Sequence, residues 1–293
     1  MNKIKNRNYT YLMVLPGLIL FVCFFLIPSF LGLLLSFTHT MGVNIGQNSF
    51  VGLSNYIEIL REPQLRLTIF NTFLFTALTT VGKVLIGMIL AVILNQAIKG
   101  RVALRAIFFL PAIINTIAVG LIFTSLMHPE TGLINKMLRS VGLGTLAQNW
   151  LSDLHLAIFS VSFIEIWRWS GFTMVIILAG LQAIPKEIYE AGDIDGVSIF
   201  QRFRYITFPL VLPSFNNALV LCIVGGLKVF DLIQATTQGG PGFATQVFST
   251  LVFQSFGSGR FGEGCAANIL LAVVVALFAI PTYKSIKGKE VEA

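Results

Sequence analysis

The chain has 293 residues, of which 55% are hydrophobic and only 11% charged, and its mean hydropathy is +0.82. A soluble domain carries about a quarter charged residues, so the composition excludes an ordinary soluble protein and indicates a polytopic membrane protein in a lipid bilayer. The formal net charge of +7 would suggest nucleic acid in a soluble protein. In a membrane protein its distribution matters more than its sum, and we expect no nucleic-acid partner.

Six apolar segments are long enough to cross a bilayer as helices. A hydrocarbon core of about 30 Å needs about 20 apolar residues in helical form. The predicted spans are residues 11–37, 68–94, 106–127, 155–182, 206–230 and 264–283. The first is longer than the apolar region of a signal peptide and no small-x-small cleavage site follows it, so we expect it to be retained. The sequence therefore predicts an all-α, polytopic integral membrane protein of about six transmembrane helices.

The distribution of Lys and Arg predicts the orientation of these spans. If the N-terminus is inside, twelve of the twenty basic residues lie in cytoplasmic segments, five in outer segments and three within spans. Cytoplasmic loops of membrane proteins carry an excess of Lys and Arg. We therefore predict that both termini are cytoplasmic, and that the segment between the fourth and fifth spans is also cytoplasmic.

That fourth-to-fifth segment contains charges and turn signals between two very apolar spans. Pro185 suits the first position of a helix, and Glu187 and Glu190 then lie near the positive end of the helix dipole. Asp195-Gly196 is a turn signal that should end this helix. The local chemistry thus predicts a short helix followed by a sharp turn.

A second short helix is predicted after the turn. Ser198 and Gln201 have the spacing of a capping box, and Arg202 and Arg204 should close the helix at the end where cations are favoured. Apolar residues of the pair can pack against the bundle or a partner: Ile188, Ala191, Ile199, Phe200 and Phe203. On this chemistry alone, an ordinary amphipathic connector at the membrane surface is the favoured interpretation, because connectors often have this composition.

The spacing of the segment resembles the EAA signature of binding-protein-dependent ABC importer permeases, E-A-A-x(3)-G-x(9)-I-x-L-P. The matching positions here are Glu190, Ala191, Gly192, Gly196, Ile206, Phe208 and Pro209. Gly replaces the third residue and Phe replaces Leu. The flanking run WSGFTMVIILAGLQAIPKEIYEAGDIDG is similar to the sugar branch of the family, as are FVGLSNYIEIL, FFLPAIINTIAVGLIF, TGLIN and FDLIQATTQGGPGFAT. Together they resemble the first permease of oligosaccharide importers, the maltose-permease type.

The resemblance implies a type I ABC importer transmembrane fold in which the EAA helix is a coupling helix that docks on a cytoplasmic ATPase. Glu190 would contact a basic group of that ATPase, and Gly196 would permit the turn. The residues implied in ATPase coupling are Glu190, Ala191, Gly192, Asp195, Gly196, Ile206 and Pro209. The implied organisation is a tail, first helix and outer loop over residues 1–66, a transmembrane domain over 67–283 with the coupling loop at 184–209, and a cytoplasmic tail over 284–293.

The resemblance also implies the partners and the location. They are a second homologous permease, two ABC ATPase subunits and an extracytoplasmic sugar-binding protein, in a bacterial plasma membrane. The chain has no G-x-x-x-x-G-K-[ST] phosphate-binding loop, so any ATP with its Mg²⁺ would be bound and hydrolysed by the partner ATPase. We predict that this chain is not an enzyme and holds no cofactor and no metal, because its histidines and cysteines show no metal-ligand spacing.

Five ionisable residues lie in or beside predicted spans: Lys83, Glu165, Arg168, Lys228 and Asp231. Such groups are costly in a bilayer and normally face a cavity or a partner. Glu165 and Arg168 are three residues apart and can pair on one helix face, as can Lys228 and Asp231. Structural pairing and substrate contact both remain open. Proton coupling is a third interpretation, but a relay would need carboxylates or histidines at several depths.

A sugar path needs aromatic faces and convergent hydrogen-bonding groups. The resemblance implies that the fourth and fifth spans line the central path. The candidate path residues are Trp169, Gly171, Phe172, Gly226, Lys228, Phe230 and Asp231. Close helix packing is the alternative interpretation of Gly225-Gly226, and a plain outer loop is that of residues 236–245.

Two function classes follow. The first is the carbohydrate permease of an ABC importer, forming half of the translocation path. The alternative is a stand-alone, ion-coupled secondary transporter, whose site would be built from inverted repeats. No similarity between the two halves of the chain is seen. An intramembrane enzyme has no nucleophile-base or metal constellation to support it.

Overall fold

The computed structural model describes residues 7–41 and 49–287. Lys3, Lys5 and Lys289, which entered the charge count, lie outside the described residues. The helices are α1 Arg7–Phe21, α2 Ile27–Leu35, α3 Ser54–Arg61, α4 Pro63–Asn95, α5 Arg101–Ile113, α6 Thr116–Leu126, α7 Leu133–Ser140, α8 Ala157–Ala183, α9 Lys186–Ile194, α10 Ile199–Arg202, α11 Phe208–Leu227, α12 Asp231–Thr236, α13 Phe248–Gly257 and α14 Phe261–Lys287.

The remaining regular structure is short. Two π-helical segments, Val22–Leu26 and Phe203–Thr207, connect α1 to α2 and α10 to α11, and Gly144–Leu146 forms a 3₁₀ turn. Strands β1 (Thr38–His39) and β2 (Ser49–Phe50) pair antiparallel. The prediction of an all-α membrane protein is confirmed, since two-residue strands are the exception among the described elements.

Within the described residues, five helical stretches are long and apolar enough to cross a membrane. They are Met13–Leu35, Pro63–Asn95, Ala157–Ala183, Ile199–Leu227 and Phe261–Lys284. A sixth span is obtained if α5 and α6 count as one. These stretches correspond to the six predicted spans, so the number and order of the spans are confirmed.

The third predicted span, residues 106–127, is not one straight helix. It is divided between α5 and α6, whose axes differ by 94°. Ile114 has an extended backbone with ψ of 140°, and the Asn115 side chain caps α6 by accepting hydrogen bonds from the N–H groups of Ile117 at 2.9 Å and Ala118 at 3.4 Å. The prediction of continuity was wrong because Asn115 satisfies the N–H groups of a new helix start, while Pro111 lacks the N–H that a helix interior uses.

One compact unit contains the described part of residues 1–62 together with Leu251–Leu270. Within it, the Asn55 side chain donates to the carbonyls of Ser36 at 2.8 Å and Thr38 at 3.0 Å. Arg260 contacts Glu62 at 3.7 Å and Glu263 at 2.7 Å. These bonds fasten α3 and the start of α14 to the chain that follows α2.

The first span presents apolar surface along its whole length. No residue of Met13–Leu35 is buried within the chain. A helix that is apolar on all sides and has no cover from its own chain is suited to lipid or to another membrane subunit.

The second compact unit contains residues 63–250 together with residues from Leu271 onward. Here α4 packs along α8, and α11 packs against both. The buried threonines of α4 bond within their own helix: the Thr72 hydroxyl donates to the Thr68 carbonyl at 2.7 Å, and that of Thr76 to the Thr72 carbonyl at 2.6 Å. Small side chains whose polar groups are satisfied in this way let membrane helices approach closely.

The loop of residues 236–245 is held by specific hydrogen bonds. Asn71 on α4, which is 3% exposed, donates through Nδ2 to the carbonyls of Phe243 at 3.0 Å and Gln246 at 3.2 Å. The hydroxyls of Thr237 and Thr245 lie 2.7 Å apart. The turn-rich composition therefore folds as a fixed loop attached to α4.

The adjacent glycines of α11 allow a matched test of this packing. A Cβ at Gly226 would lie 2.9 Å from the Thr76 Cα, whereas a Cβ at Gly225 would meet nothing within 4 Å. We expect Gly226→Ala to destabilise the protein by about 1–3 kcal/mol through overpacking. Gly225→Ala should be neutral or stabilising by up to about 1 kcal/mol. Thermal unfolding in detergent measures both, and a Gly226→Ala melting temperature equal to or above that of the wild type would contradict the packing.

Candidate functional site

The charged segment after α8 forms a helix and a turn. α9 begins after Pro185, whose ψ is 139°, so Pro185 is the residue before the first helical position rather than that position itself. Gly196 follows the helix with a φ of +71°, in the left-handed region where a Cβ is disfavoured. The predicted break at Asp195-Gly196 is confirmed.

The turn is closed by side chains on both sides. Ser198 Oγ accepts a hydrogen bond from the Gln201 N–H at 3.3 Å, and Gln201 Oε1 accepts one from the Ser198 N–H at 2.8 Å. This is the predicted capping box. Asp193 on α9 also forms an ion pair with Arg202 on α10. We call residues 186–202 the hairpin.

The second helix of the hairpin is not a separate short helix, and the prediction that it ends at its arginines was wrong. α10 continues through the π-helical segment into α11, so that Ile199–Leu227 is one helical stretch. Pro209 lies in the first turn of α11. Its missing N–H and bulky ring are accommodated because the wider π-helical turn, in which the Phe208 N–H bonds the Phe203 carbonyl, precedes it.

Gly192 occupies the third position of the signature. It is buried against Ile206, which occupies a later position of the same signature. A Cβ at residue 192 would lie 2.8 Å from the Ile206 Cδ1 and 3.2 Å from a methyl group of Val197. Glycine at this position therefore lets α9 lie close to the helix that leads into the membrane. The contact brings together two signature positions that are fourteen residues apart in the sequence.

The hairpin exposes both apolar and acidic side chains. Ile194 and Ile199 are each 87% exposed and Phe200 is 74% exposed. Glu190 and Ala191 are also exposed. Phe203, by contrast, packs against the apolar core around α4 and α8. Exposed large apolar residues close in sequence to an exposed acid are typical of a protein-docking surface.

A cavity of about 370 Å³ lies among α4, α6, α8, α11 and α12, and we call it the central cavity. Its lining includes charged, aromatic and aliphatic groups. The residues are Lys83, Thr116, Glu165, Arg168, Trp169, Phe172, Thr173, Ile176, Ala218, Leu221, Cys222, Gly225, Lys228, Val229, Phe230, Asp231 and Leu232.

Lys83 and Glu165 form a buried ion pair in the wall of the cavity. Nζ of Lys83 lies 3.5 Å from Oε1 of Glu165, and the side chains are 4% and 8% exposed. The pair joins α4 to α8. Glu165 and Arg168 were a candidate pair from their spacing, but the ion pair of Glu165 in the described part of the chain is with Lys83, because the α4–α8 packing brings these two faces together.

Arg168 instead contacts the break in the third span. It donates through Nη2 to the Ile114 carbonyl at 3.1 Å, and its guanidinium lies 4.9 Å from the centroid of the Trp169 ring. The carbonyl at the end of α5 lacks a helical partner, so a cation is favoured there. The Trp169 ring in turn meets Phe172 edge to face at 5.4 Å. Arg168, Trp169 and Phe172 therefore form a charged and aromatic part of the wall of the central cavity.

Lys228 and Asp231 are not on one helix. α11 ends at Leu227, Lys228 caps it, and a new helix starts at Asp231. Their predicted pairing on the fifth span was therefore wrong, since the helix had already ended. Both are exposed and both line the cavity. Asp231 occupies the first turn of α12, where the helix dipole favours an anion.

The candidate path residues fall into two groups. Trp169, Phe172, Lys228, Phe230 and Asp231 line the central cavity. Gly171 and Gly226 do not line it. Any Cβ at Gly171 would collide with the Phe108 carbonyl on α5, and Gly226 lies against Thr76 of α4. These glycines hold helices at close range behind the cavity wall.

Several lining residues were absent from the sequence prediction. Thr173 and Ile176 extend the Trp169 and Phe172 face along α8, and a helical period of three and four residues could have identified them. Thr116 enters through the start of α6, and only recognition of the helix break would have indicated it. The Cys222 sulfur lies 3.6 Å from the Thr173 hydroxyl. The sequence indicates only a packing role for this cysteine.

The comparisons with known proteins agree with this arrangement. The family described as "Binding-protein-dependent transport system inner membrane component" matches residues 83–285. The chain is 36% identical over 278 residues to the trehalose/maltose transport system permease protein MalF of Thermococcus litoralis, covering 95% of this chain and 93% of that protein. The chain belongs to this family of transport-system membrane components.

Solved structures give the same fold. A bacterial ABC transporter involved in the import of the acidic polysaccharide alginate superposes with a TM-score of 0.84 and 25% identity, covering 97% of this chain and 96% of that one. Its complex with an alginate pentasaccharide-bound periplasmic protein gives a TM-score of 0.83, also at 25% identity, covering 95% and 94%. The protein is thus a multi-pass permease with the ABC importer transmembrane fold. The stand-alone secondary transporter has no support in these likenesses.

The buried pair can be tested by a double-mutant cycle. We expect Lys83→Gln and Glu165→Gln each to lower stability, because each leaves the other charge buried and unpaired. The double variant should lose less than the sum, with a coupling energy of about 1–3 kcal/mol. Unfolding in detergent measures the cycle, and a matched cycle on Arg168 and Glu165 is its control. A larger coupling for Arg168 than for Lys83 would contradict the geometry.

Proposed function

We propose that this chain is a permease subunit of an ATP-driven importer for a carbohydrate, forming half of a translocation path with a second, homologous permease. The observation that carries the proposal is the hairpin: a signature of defined spacing folds as an exposed apolar and acidic surface at the end of two spans. The relatives named for trehalose, maltose and alginate support an oligosaccharide as the substrate class.

The hairpin is the surface that an ATPase subunit would contact. Glu190 is exposed on α9 and available to a basic partner, and a charge-assisted hydrogen bond to Arg is a strong, directional contact. Ala191 and Asp195 flank it, and Gly196 supplies the turn. Ile206 and Pro209 connect the docked surface to α11. The chain lacks a phosphate-binding loop, so two ATPase subunits would supply Mg-ATP hydrolysis in trans.

The charge distribution supports an orientation with both termini and the hairpin in the cytoplasm. The extracytoplasmic side would then present the segment of residues 236–245 to a sugar-binding protein. In this arrangement residues 67–283 form the transporting domain with its coupling loop at 184–209. Residues 1–66 add the first span and its outer loop, and residues 284–293 add a short cytoplasmic tail.

The central cavity suits part of a sugar chain. Trp169, Phe172 and Phe230 offer apolar ring faces, and Lys228 and Asp231 offer hydrogen-bonding groups at one end. Sugars are bound by this combination of flat apolar surface and convergent polar groups. Gly171 and Gly226 would shape the path indirectly, by holding α8 against α5 and α11 against α4.

The mechanism that follows is alternating access. A loaded binding protein docks outside, ATP draws the two ATPases together, and the coupling hairpins pass that displacement to the spans so that the cavity opens outward. Hydrolysis and product release return the cavity to the inward-open state. Such transitions are rigid-body movements of packed elements.

Two substitutions in the hairpin test the coupling role. We expect Glu190→Lys, which reverses the docking charge, and Gly196→Val, which strains a residue with φ +71°, to leave the permease in the membrane but to abolish sugar uptake. Membrane fractionation and uptake of labelled maltose, trehalose and alginate oligosaccharides measure the two properties. Arg101→Ala is the control, because Arg101 is exposed and lies outside the hairpin, and it should retain uptake. Uptake that survives both changes would show that the hairpin is not the coupling element.

Reconstitution tests the energy source. Proteoliposomes that contain this chain with the second permease and ATPase should accumulate sugar only when ATP is inside and the binding protein outside. Omitting any one component should reduce accumulation to background. Transport by this chain alone, driven by a proton or sodium gradient, would contradict the proposal.

A further inference from the structure

We propose that Arg105 is a positioning residue that holds the last turns of α4 and α8 together when the hairpin is displaced. The proposal rests on the coupling role proposed for α9. Arg105 lies one turn into α5 and is partly buried. It is not part of the hairpin or of the central cavity, and its side chain contacts the ends of two other helices.

The first contact is with the end of α4. Arg105 Nη2 donates to the Leu94 carbonyl at 2.7 Å, one residue before α4 ends at Asn95. The last four carbonyls of a helix have no partner in the helix, and the negative end of the helix dipole favours a cation. The guanidinium therefore satisfies a specific carbonyl and the charge of the helix end at once.

The second contact is with the end of α8. The side-chain amide of Gln182 faces the guanidinium, and with its oxygen turned toward Arg105 it accepts from Nη1 at 3.3 Å and Nη2 at 3.2 Å. Gln182 is the penultimate residue of α8, and α9 begins four residues later at Lys186. Arg105 thus reaches the last turn before the hairpin.

Arginine is suited to this position because its planar group presents several donors in a fixed arrangement. The ammonium group of a lysine is a single point of contact. Beneath the guanidinium, Leu94 and Leu181 are each 2% exposed and belong to one apolar cluster with Met174 and Val211. The hydrogen bonds from Arg105 to Leu94 and Gln182, which we call the clamp, therefore lie at the end of a packed block that contains α4, α8 and α11.

The clamp has a consequence for the cavity. On α4, Lys83 lies eleven residues before Leu94, which is about 16 Å of helix at 1.5 Å per residue. On α8, Glu165 lies seventeen residues before Gln182, which is about 25 Å of helix. A displacement of α9 would pull α8 directly. The packing along α4 and α8 already joins the two walls that carry the ion pair, and Arg105 adds a direct link between their last turns, where the displacement arrives.

Distances between spin labels test this directly. Gln96, just beyond α4, and Lys186, at the start of α9, are exposed and suited to labelling. The labels are placed as Gln96→Cys and Lys186→Cys in a background in which Cys23, Cys222 and Cys265 are replaced by alanine. The assembled complex in nanodiscs is measured without nucleotide and after trapping with Mg-ATP and vanadate.

We expect one narrow distance distribution in each state for the wild-type background. Arg105→Gln should at least double its width in one of the two states, because the end of α4 then loses its link through Arg105 to the last turn of α8. Gln182→Ala, which removes only the contact with α8, should broaden it as well, and Arg105→Lys should broaden it less than Arg105→Gln. Arg101→Gln is the matched control, since Arg101 is exposed one turn earlier on α5, and it should resemble the wild type.

A role in stability alone would lower the yield of assembled complex without changing the distances in the fraction that assembles. The proposal is overturned if Arg105→Gln and Gln182→Ala give the same distributions as Arg101→Gln in both states. If the Arg105→Gln complex does not assemble, the test uses Gln182→Ala and Arg105→Lys instead. Distance distributions from both that equal those of Arg101→Gln would overturn the proposal. A wild-type complex that shows no ATPase bound to the hairpin would instead refute the coupling role, while the nucleotide-free distances would still report on the clamp.

Discussion

The close packing of α4 against α8 is the constraint on which the rest of the structure depends. It brings Lys83 to Glu165 inside the membrane-spanning region and forms the wall of the central cavity. At its other end it buries Leu94 against Leu181, immediately before the hairpin. Small and internally bonded side chains make the approach possible, because apolar side chains alone gain little from helix association in lipid. The cavity and the hairpin lie at two ends of one packed block.

The charged groups in this block are costly and are placed where that cost is reduced. Lys83 and Glu165 neutralise each other, and Arg168 satisfies a carbonyl that the broken third span leaves free. A single buried charge would have been much less favourable than a pair. The break in the third span and the arginine that contacts it are therefore features of the same site, since Arg168 donates to the carbonyl that the break leaves without a helical partner.

The hairpin could be predicted from the sequence because its signals are local. A proline before α9, a glycine at positive φ and a capping box act over a few residues. The turn glycine and the capping box lie where they were predicted, and Pro185 lies one position before its predicted place. The partner of Glu165 could not be predicted, because Lys83 is eighty-two residues away and only helix packing brings it near. The right angle at Ile114 was missed because apolar composition conceals the single capping side chain of Asn115. Likewise, the sequence does not distinguish a glycine that lines a path from a glycine that allows close contact between two helices.

The central claim is that the exposed hairpin is the surface through which this permease receives movement from an ATPase. A photo-crosslinking amino acid at Phe200, which is 74% exposed, tests it most directly in membranes that contain the full transporter. The account predicts an irradiation-dependent product between this chain and the ATPase subunit, which is absent when the probe is placed at Phe24 in the first span. Crosslinks from Phe200 that reach only lipid or this chain itself, with the ATPase present and active, would contradict it.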